Sequence, residues 1–456
     1  MSNNTESLTL IPEFQRFAND LDHRLVTLSH DHYHTSRAVW NGRIDRRPAV
    51  VVNAVNAADV QLAVNFARDS GLRLAVRGQG HHVAGHSVCD DGVVVDLSAM
   101  KAITVDTDAQ TARVEPGLTV GEFFGAIEEK GLIVTVGSHA TVGLAGFTLG
   151  GGIGLLMGKY GLASDNLLSV DIVTADGQLR VASESENSDL FWAVRGGGSN
   201  FGIVTSLTYQ LRPVEPVVGG VVIHPLPHFR GVLGMFREHA QDAPNELGLL
   251  AAAVTGPGGH PAAMLMAQHT GPVEVGERLM APIKAYGPPL VDMIGPMPYG
   301  GLLHALDGQD PEGNHYAYTC RGIPELTDTV LDIIADFAVR RTSPGTAVVV
   351  YRQHGAVTER AFDATAYSGR HLPYMVGIYT GWEPGDDTLH LAWMDEFKAS
   401  LAPYTVAPGC LSLVGEEGED VVSENYGANY GRLREIKAKW DAENLFCNNH
   451  NIPPAR

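Results

Sequence analysis

Basic residues are scarce in this chain: 32 Lys and Arg stand against 52 Asp and Glu, a formal net charge of -20. Nucleic acid and anionic membranes both need basic patches, so neither is expected as a partner. Long apolar runs are missing as well, and no stretch reaches the length that spans a bilayer. The amino-terminal MSNNTESLTLIPEFQRF has no basic segment followed by an apolar core, which argues against a secretory signal. Only four cysteines occur, Cys89, Cys320, Cys410 and Cys447, and none form a CxxC pair. That usage fits buried free thiols in a reducing compartment better than a disulfide framework, so the cytoplasm is the expected location.

What is present is glycine, arranged in clusters. The 456 residues are 44% hydrophobic and 18% charged, the composition of a packed globular protein too long for one ordinary core. The first cluster is RGQGHH, Arg77 to His82, set between the apolar run ending at Val76 and a second from Val93 to Asp96. Gly78 and Gly80 permit backbone angles that let successive N–H groups converge on an anion such as a pyrophosphate. Neither the GxGxxG fingerprint nor the phosphate-binding GxxxxGK pattern fits here, because the stretch is too short and no lysine follows. An anion-cradling loop and an ordinary turn between strands both suit these residues.

The surrounding segment reads as strand Ala49 to Val52, a helix through Val60, Ala63, Val64 and Ala67 stopped by Gly71, and strand Leu74 to Val76. Short strands follow at Val93 to Asp96, Ile103 to Asp106 and Thr111 to Val114, then a helix from Thr119 to Glu129. From Val136 to Asn166, nine glycines interleave with Val, Leu and Ile, too densely for a helix, a strand or a flexible linker. The backbone there must press closely against something, and a planar cofactor with polar edges is the natural candidate. A third cluster, WAVRGGGSNFGIVTSLTYQL from Trp192 to Leu211, runs glycines into a long β pattern.

These three clusters resemble, in order and spacing, the flavin-binding domain of the berberine-bridge-enzyme-like oxidoreductases of the vanillyl-alcohol-oxidase superfamily. The ending, YGANYGRLREIKAKWD followed by NLFCNNHNIPP, resembles that family's carboxyl-terminal segment. Nicotine-oxidising members share the GSHxxVG run, KYGLASDN and the closing NxNI with this chain. The implied fold is α+β: a two-subdomain FAD-binding domain and an antiparallel-sheet substrate domain with helices behind it. The divisions are 1–212 for FAD, 213–415 for substrate and 416–456 for a segment returning to the first domain.

The resemblance implies an FAD with Arg77, Gly78, Gln79, Gly80, His81 and His82 around its pyrophosphate and ribityl chain. From the second cluster it adds Val136, Gly137, His139, Thr141, Val142, Gly143, Gly146, Gly152, Gly154 and Asn166. Val204 comes from the third cluster, and Asn449 and Asn451 from the closing segment. His81 matches the histidine that members bond covalently to the flavin, and a neutral imidazole is a suitable nucleophile for that carbon. His139 stands where bicovalent members carry a cysteine, so one covalent bond is expected. His81, His82, His86 and His139 do not compose a known metal set, and no metal is expected. His82 and His86 suit a plain packing role as well as a catalytic one.

Beyond Leu211 the chain turns to alternating strands and helices. Strands are read at Val217 to Ile223, Leu249 to Val254, Ala262 to Met266, Ala347 to Arg352 and Met375 to Thr380. Helices are read at Phe229 to His239, Pro324 to Arg341 and Asp387 to Ala402. Where nicotine-oxidising members place a lysine and glutamates toward the ring, alternation is read to present Val350, Arg352 and His354, with Tyr351 and Gln353 on the other face. Cys410 to Leu413 replaces the family's YxNY segment and removes its tyrosine base. His354, Tyr379 and Tyr426 remain as candidate proton acceptors by residue type.

Val142 aligns with the position where valine leaves space for dioxygen. The expected activity is therefore an oxidase that moves hydride from a C–N or C–OH carbon of a small molecule to flavin and yields hydrogen peroxide. Amines, including alkaloids, come first. Secondary alcohols or sugars come second, disfavoured by an aromatic content of 7%. A flavin-binding carrier without catalysis is the rival from another class.

Overall fold

A computed structural model describes residues 12–305, 308–406 and 409–456. The stretch read above for a secretory signal lies, up to Ile11, outside them. Among the described residues no helix is long and apolar enough to cross a membrane.

Three short strands, Val50–Asn53, Leu74–Arg77 and Val93–Asp96, pair in parallel with Val93–Asp96 in the middle. Their near-continuous valines suit a sheet covered on both faces. One cover is the helix Ala57–Asp69, whose cap is Asn56: its Oδ1 accepts the Asp59 N–H at 3.0 Å. Gly71, at φ +64°, ends that helix and returns the chain to the sheet. A second sheet is wholly antiparallel and runs Ile103–Asp106, Thr111–Val114, Ile203–Gln210, Leu167–Val173, Leu179–Ser183. The helix Val120–Glu128 packs under it, opened by a capping box of Thr119 and Glu122.

The third sheet is antiparallel and built from residues 217–382. Its longest members are Val217–Pro225, Leu247–Thr255, Pro261–Thr270, His315–Ile323, Ala347–Arg352 and Tyr374–Trp382. Period-two alternation splits each strand between two cores. Val218, Ala251, Leu265, Val348, Val350 and Ile378 face the helices Phe229–Gln241, Val273–Ala285, Asp328–Val339 and Thr388–Leu401. Val221, Leu250, Ala252, Met264 and Val349 face the opposite way and join the core of the second sheet. The helix read from Pro324 begins at Asp328, because Thr327 Oγ1 accepts the Val330 N–H and caps it there.

The helix Tyr430–Trp440 returns to pack on the helix Ser188–Gly197. Its Lys437 is fully buried, and all three of its protons are used: on Asn200 O at 2.6 Å, Asp441 Oδ2 at 2.6 Å and Phe446 O at 2.9 Å. Asp441 in turn accepts the N–H groups of Leu445 and Phe446. A buried charge is tolerable only when satisfied in this way. The network fastens the segment after the helix to the Asn200 loop.

Candidate active site

The three sheets meet around one large cavity of about 420 Å³. The glycine loop after Leu74–Arg77 enters it: Gly78, Gln79, Gly80, His81 and His82 all line the wall. Gly80 sits at φ +70°, where a side chain would be strained. Arg77 departs from the expectation, because its guanidinium points out of the cavity. It donates to Asp96 Oδ2 at 2.5 Å, Ser36 O at 2.5 Å and Ala38 O at 3.0 Å, and so ties the sheet to the preceding segment. With those partners taken, the Arg77 side chain is a buried strut outside the cavity wall.

His81 is stacked on Trp40, ring centroids 4.8 Å apart, and Trp40 is stacked on Tyr316 at 3.9 Å. Its Nε2 lies 3.1 Å from Thr141 Oγ1. Burial, then the charge of nearby His139, push its pKa down to about 4. The ring is therefore neutral near pH 7, with a lone pair for an electrophile. Thr141 reaches the site only through this hydrogen bond; it is exposed and outside the wall. His139, Val142, Gly137, Gly143, Gly146, Gly152 and Val204 line the cavity. Val204 borders a register shift between its strand and Leu167–Val173, a bulge of the kind that re-aims side chains beside a site.

The dense glycine segment proves to have two causes. A methyl at Gly143 would come 3.1 Å from Gln79 N, so the two glycine loops abut and form one floor. Gly154 presses instead on the Val136 carbonyl, and Gly158 on the His354 ring. Gly154 and Val136 are thus close protein–protein approaches outside the cavity wall. Asn166 is also elsewhere: it is buried, and its Nδ2 donates to Tyr160 O and Leu162 O, closing its own turn.

Over the floor lies the third sheet, but on the opposite parity to that read from the sequence. Ala347, Val349 and Tyr351 face the cavity, while Val350 points into the helix-side core. Arg352 lies outside the wall. His354 lies beyond the strand's end against Gly158, buried and outside the wall, which removes it as a candidate base. Tyr379 and Tyr426 do line the cavity. Tyr379 donates to Tyr351 Oη at 3.2 Å, with Tyr318 packed on it at 4.6 Å. Tyr426 donates to Gly196 O at 3.2 Å. Burial raises the pKa of Tyr318, Tyr351, Tyr379 and Tyr426, so these are neutral phenols. Cys410 and Ser412, where the tyrosine segment is missing, also border the cavity, Sγ and Oγ 3.1 Å apart.

Asn448, Asn449 and His450 complete the wall from the carboxyl-terminal side. Asn448 Nδ2 donates to His86 O at 2.6 Å, pinning this segment to the first glycine loop. The buried Asn449 Oδ1 and Ser87 Oγ have no protein partner, and both residues border the cavity. Asn451 lies outside the wall. Glycine backbone on the floor, a neutral histidine at one side and orphaned amide and hydroxyl oxygens together fit a dinucleotide such as FAD. Trp40, Tyr318, Tyr351, His86 and His450 are wall residues that sequence reading did not assign; correct strand parity alone would have found Tyr351.

Two family models match the chain: an FAD binding domain over residues 48–183, and a berberine and berberine-like segment over residues 411–453. An FAD-linked oxidoreductase of Dictyostelium discoideum is 32% identical over 421 residues, 91% of each chain. The (R)-6-hydroxynicotine oxidase of Paenarthrobacter nicotinovorans is 30% identical over 434 residues, 91% of this chain and 93% of that one. The solved structure of 6-hydroxy-D-nicotine oxidase from Arthrobacter nicotinovorans superposes with a TM-score of 0.85 at 27% identity, covering 95% of this chain and 98% of that one.

Proposed function

The chain belongs to the berberine-bridge-enzyme-like FAD-linked oxidoreductases, and from that premise we propose that it is an oxidase of small neutral amines, with FAD tethered covalently to His81. The domain division at 212 and 415 is part of this reading: cofactor on the first and last segments, substrate under the third sheet. Bound FAD supplies the hydride acceptor, and its electrons pass to dioxygen to give hydrogen peroxide.

The observation that carries the substrate class is the chemistry of the cavity wall. Among the described residues it contains no lysine or arginine and one carboxylate, Asp310. A carboxylate or phosphate ester would find no cation there, whereas a neutral amine can lie under Leu250, Ala252, Met264 and Val349. The paired Tyr351 and Tyr379 hydroxyls are among the polar groups of that roof, and in this reading they orient the substrate nitrogen by hydrogen bonding. As neutral phenols they hold their protons. An amine does not need them as bases: hydride leaves the carbon beside nitrogen, and the nitrogen lone pair closes the new C=N bond. An alcohol would also have to lose its O–H proton, and for that chemistry the wall offers no ionised tyrosine.

Val142 borders the same cavity as His81, and its short side chain favours dioxygen as the electron acceptor in this reading; Thr141 hydrogen-bonds the His81 ring.

The test is a peroxide-coupled screen of secondary and tertiary amines beside secondary alcohols and oligosaccharides. Amine turnover supports the reading, and exclusive turnover of alcohols or sugars overturns the substrate class. Acid precipitation tests the tether: yellow flavin should stay on the wild-type polypeptide and leave the His81→Ala variant. Release from the wild type would overturn the tether and leave FAD binding intact.

A further inference from the structure

Three histidines that the proposed reaction does not use converge on one side of the cavity. His82 and His86 leave the first glycine loop with stacked rings, centroids 4.5 Å apart and planes at 23°. His450 arrives from the carboxyl-terminal segment edge-on to both, at 4.7 Å from His86 and 5.4 Å from His82. One ring nitrogen from each lies within 4.8 Å of the others. All three border the cavity. His81 and His139 stay on the other side of the loop, so the grouping differs from that suggested by sequence proximity.

We propose that His82, His86 and His450 form a site for one divalent transition-metal ion of the zinc class, with its fourth position open to the cavity. Three imidazoles and an exchangeable fourth ligand are a familiar donor set for such ions, whereas hard cations such as magnesium prefer oxygen. The hydrogen bonds already select the lone-pair nitrogens. His450 Nε2 lies 3.3 Å from Val414 O, to which it donates, leaving Nδ1 as the unprotonated ligand atom. A backbone carbonyl behind a ligating histidine is the usual supporting shell. His82 Nδ1 accepts from Ala84 N–H at 3.2 Å and is likewise unprotonated; a metal would replace that long contact. The His86 ring has no hydrogen bond and can turn.

Tetrahedral ligand nitrogens stand about 3.3 Å apart around zinc, so the rings must close by about 1.5 Å from their 4.8 Å limit. His86, whose ring has no hydrogen bond, can take up part of that movement, and His82 and His450 must supply the rest.

The experiment is metal binding to the flavin-loaded enzyme, by equilibrium dialysis against Zn²⁺ followed by elemental analysis and zinc-edge X-ray absorption. The expected result is one zinc per chain, with three imidazole nitrogens at about 2.0–2.1 Å. His86→Asn and His450→Gln should each weaken binding by at least about tenfold with flavin content and melting temperature read in parallel. The exposed His30 and His32 pair serves as the control, and His32→Asn should leave the zinc bound. Substoichiometric zinc in the wild type would overturn the proposal. So would loss of zinc in His32→Asn, or unchanged affinity in both cavity variants. None of these outcomes depends on which substrate the enzyme oxidises.

Discussion

The Tyr379 hydroxyl meets the Tyr351 hydroxyl at 3.2 Å although the two residues are not opposite one another in the sheet, where Tyr379 faces Ala347 and Tyr351 faces Met375. The Tyr379 ring reaches across by lying back over Gly377, where any Cβ would collide with it. Gly377 is thus what allows the pair to form. Replacing Gly377 with Ala should displace the Tyr379 hydroxyl, and Tyr351→Phe should remove its partner. Each is expected to lower kcat/KM by up to about tenfold, the worth of one hydrogen bond. The two effects should not add, because both break the same contact. Since burial holds both phenols protonated, kcat should show no tyrosine ionisation from about pH 7 to about pH 10. Additive losses, or a rising limb in that window, would refute the assignment.

Val142 borders the cavity beside His139 and Gly143. Val142→Leu adds one methylene to the proposed oxygen approach. Stopped-flow reoxidation by dioxygen should slow, while anaerobic reduction by substrate keeps its rate. Equal slowing of both half-reactions would point instead to a general distortion of the floor.

His354 makes stability depend on pH. Burial, then the neighbouring Arg352 charge, bring its pKa down to about 4 in the folded chain, against about 6.5 when unfolded. Between those values the unfolded state binds the extra proton, so stability is complete above about pH 6.5 and declines as pH falls toward 4. At pH 5 this one ring should cost about 2 kcal/mol relative to pH 8. Urea melts of the wild type and of His354→Gln at the two pH values measure it. The variant should lose less stability on acidification, and identical losses would exclude His354 as a source.

Arg77 and Asp96 form a buried ion pair at the exit of two adjacent strands. Asp96→Asn leaves the guanidinium without its counter-charge and should destabilise the protein by about 3–5 kcal/mol. Flavin content per folded molecule should stay at its wild-type level, because the side chain does not face the cavity. A variant that melts normally but loses flavin would return Arg77 to the cofactor.

The sequence carried the strand runs and the order of the glycine clusters, because valine repeats and positive-φ turns are local properties. Strands Val93–Asp96, Ile103–Asp106, Thr111–Val114 and Ala347–Arg352 fall where their residues put them. Parity in the last of these did not follow. Both of its faces are apolar in part, so the residues themselves do not say which face the helices claim. The polar side chains of Arg352 and His354 drew the reading to the wrong face, and His354 lies past the strand, where alternation has stopped. Glycine was ambiguous for a related reason: Gly152 on the cavity and Gly154 against a carbonyl look alike as letters. His450 was hidden by sequence distance, since its ring partners, His82 and His86, lie near the other end of the chain.

The Lys437 network and the reach of Asn448 back across 362 residues to the His86 carbonyl have a consequence for biosynthesis. The glycine loop leaves the ribosome early and can fold with its parallel strands, yet the wall opposite it is made only when residues 448–450 have emerged. A growing chain therefore exposes an open trough with His81 in contact with water. Flavin capture, and any bond formed to it, must wait for residues 448–450, and a nonsense mutation anywhere before residue 448 would leave a chain that cannot close around its cofactor.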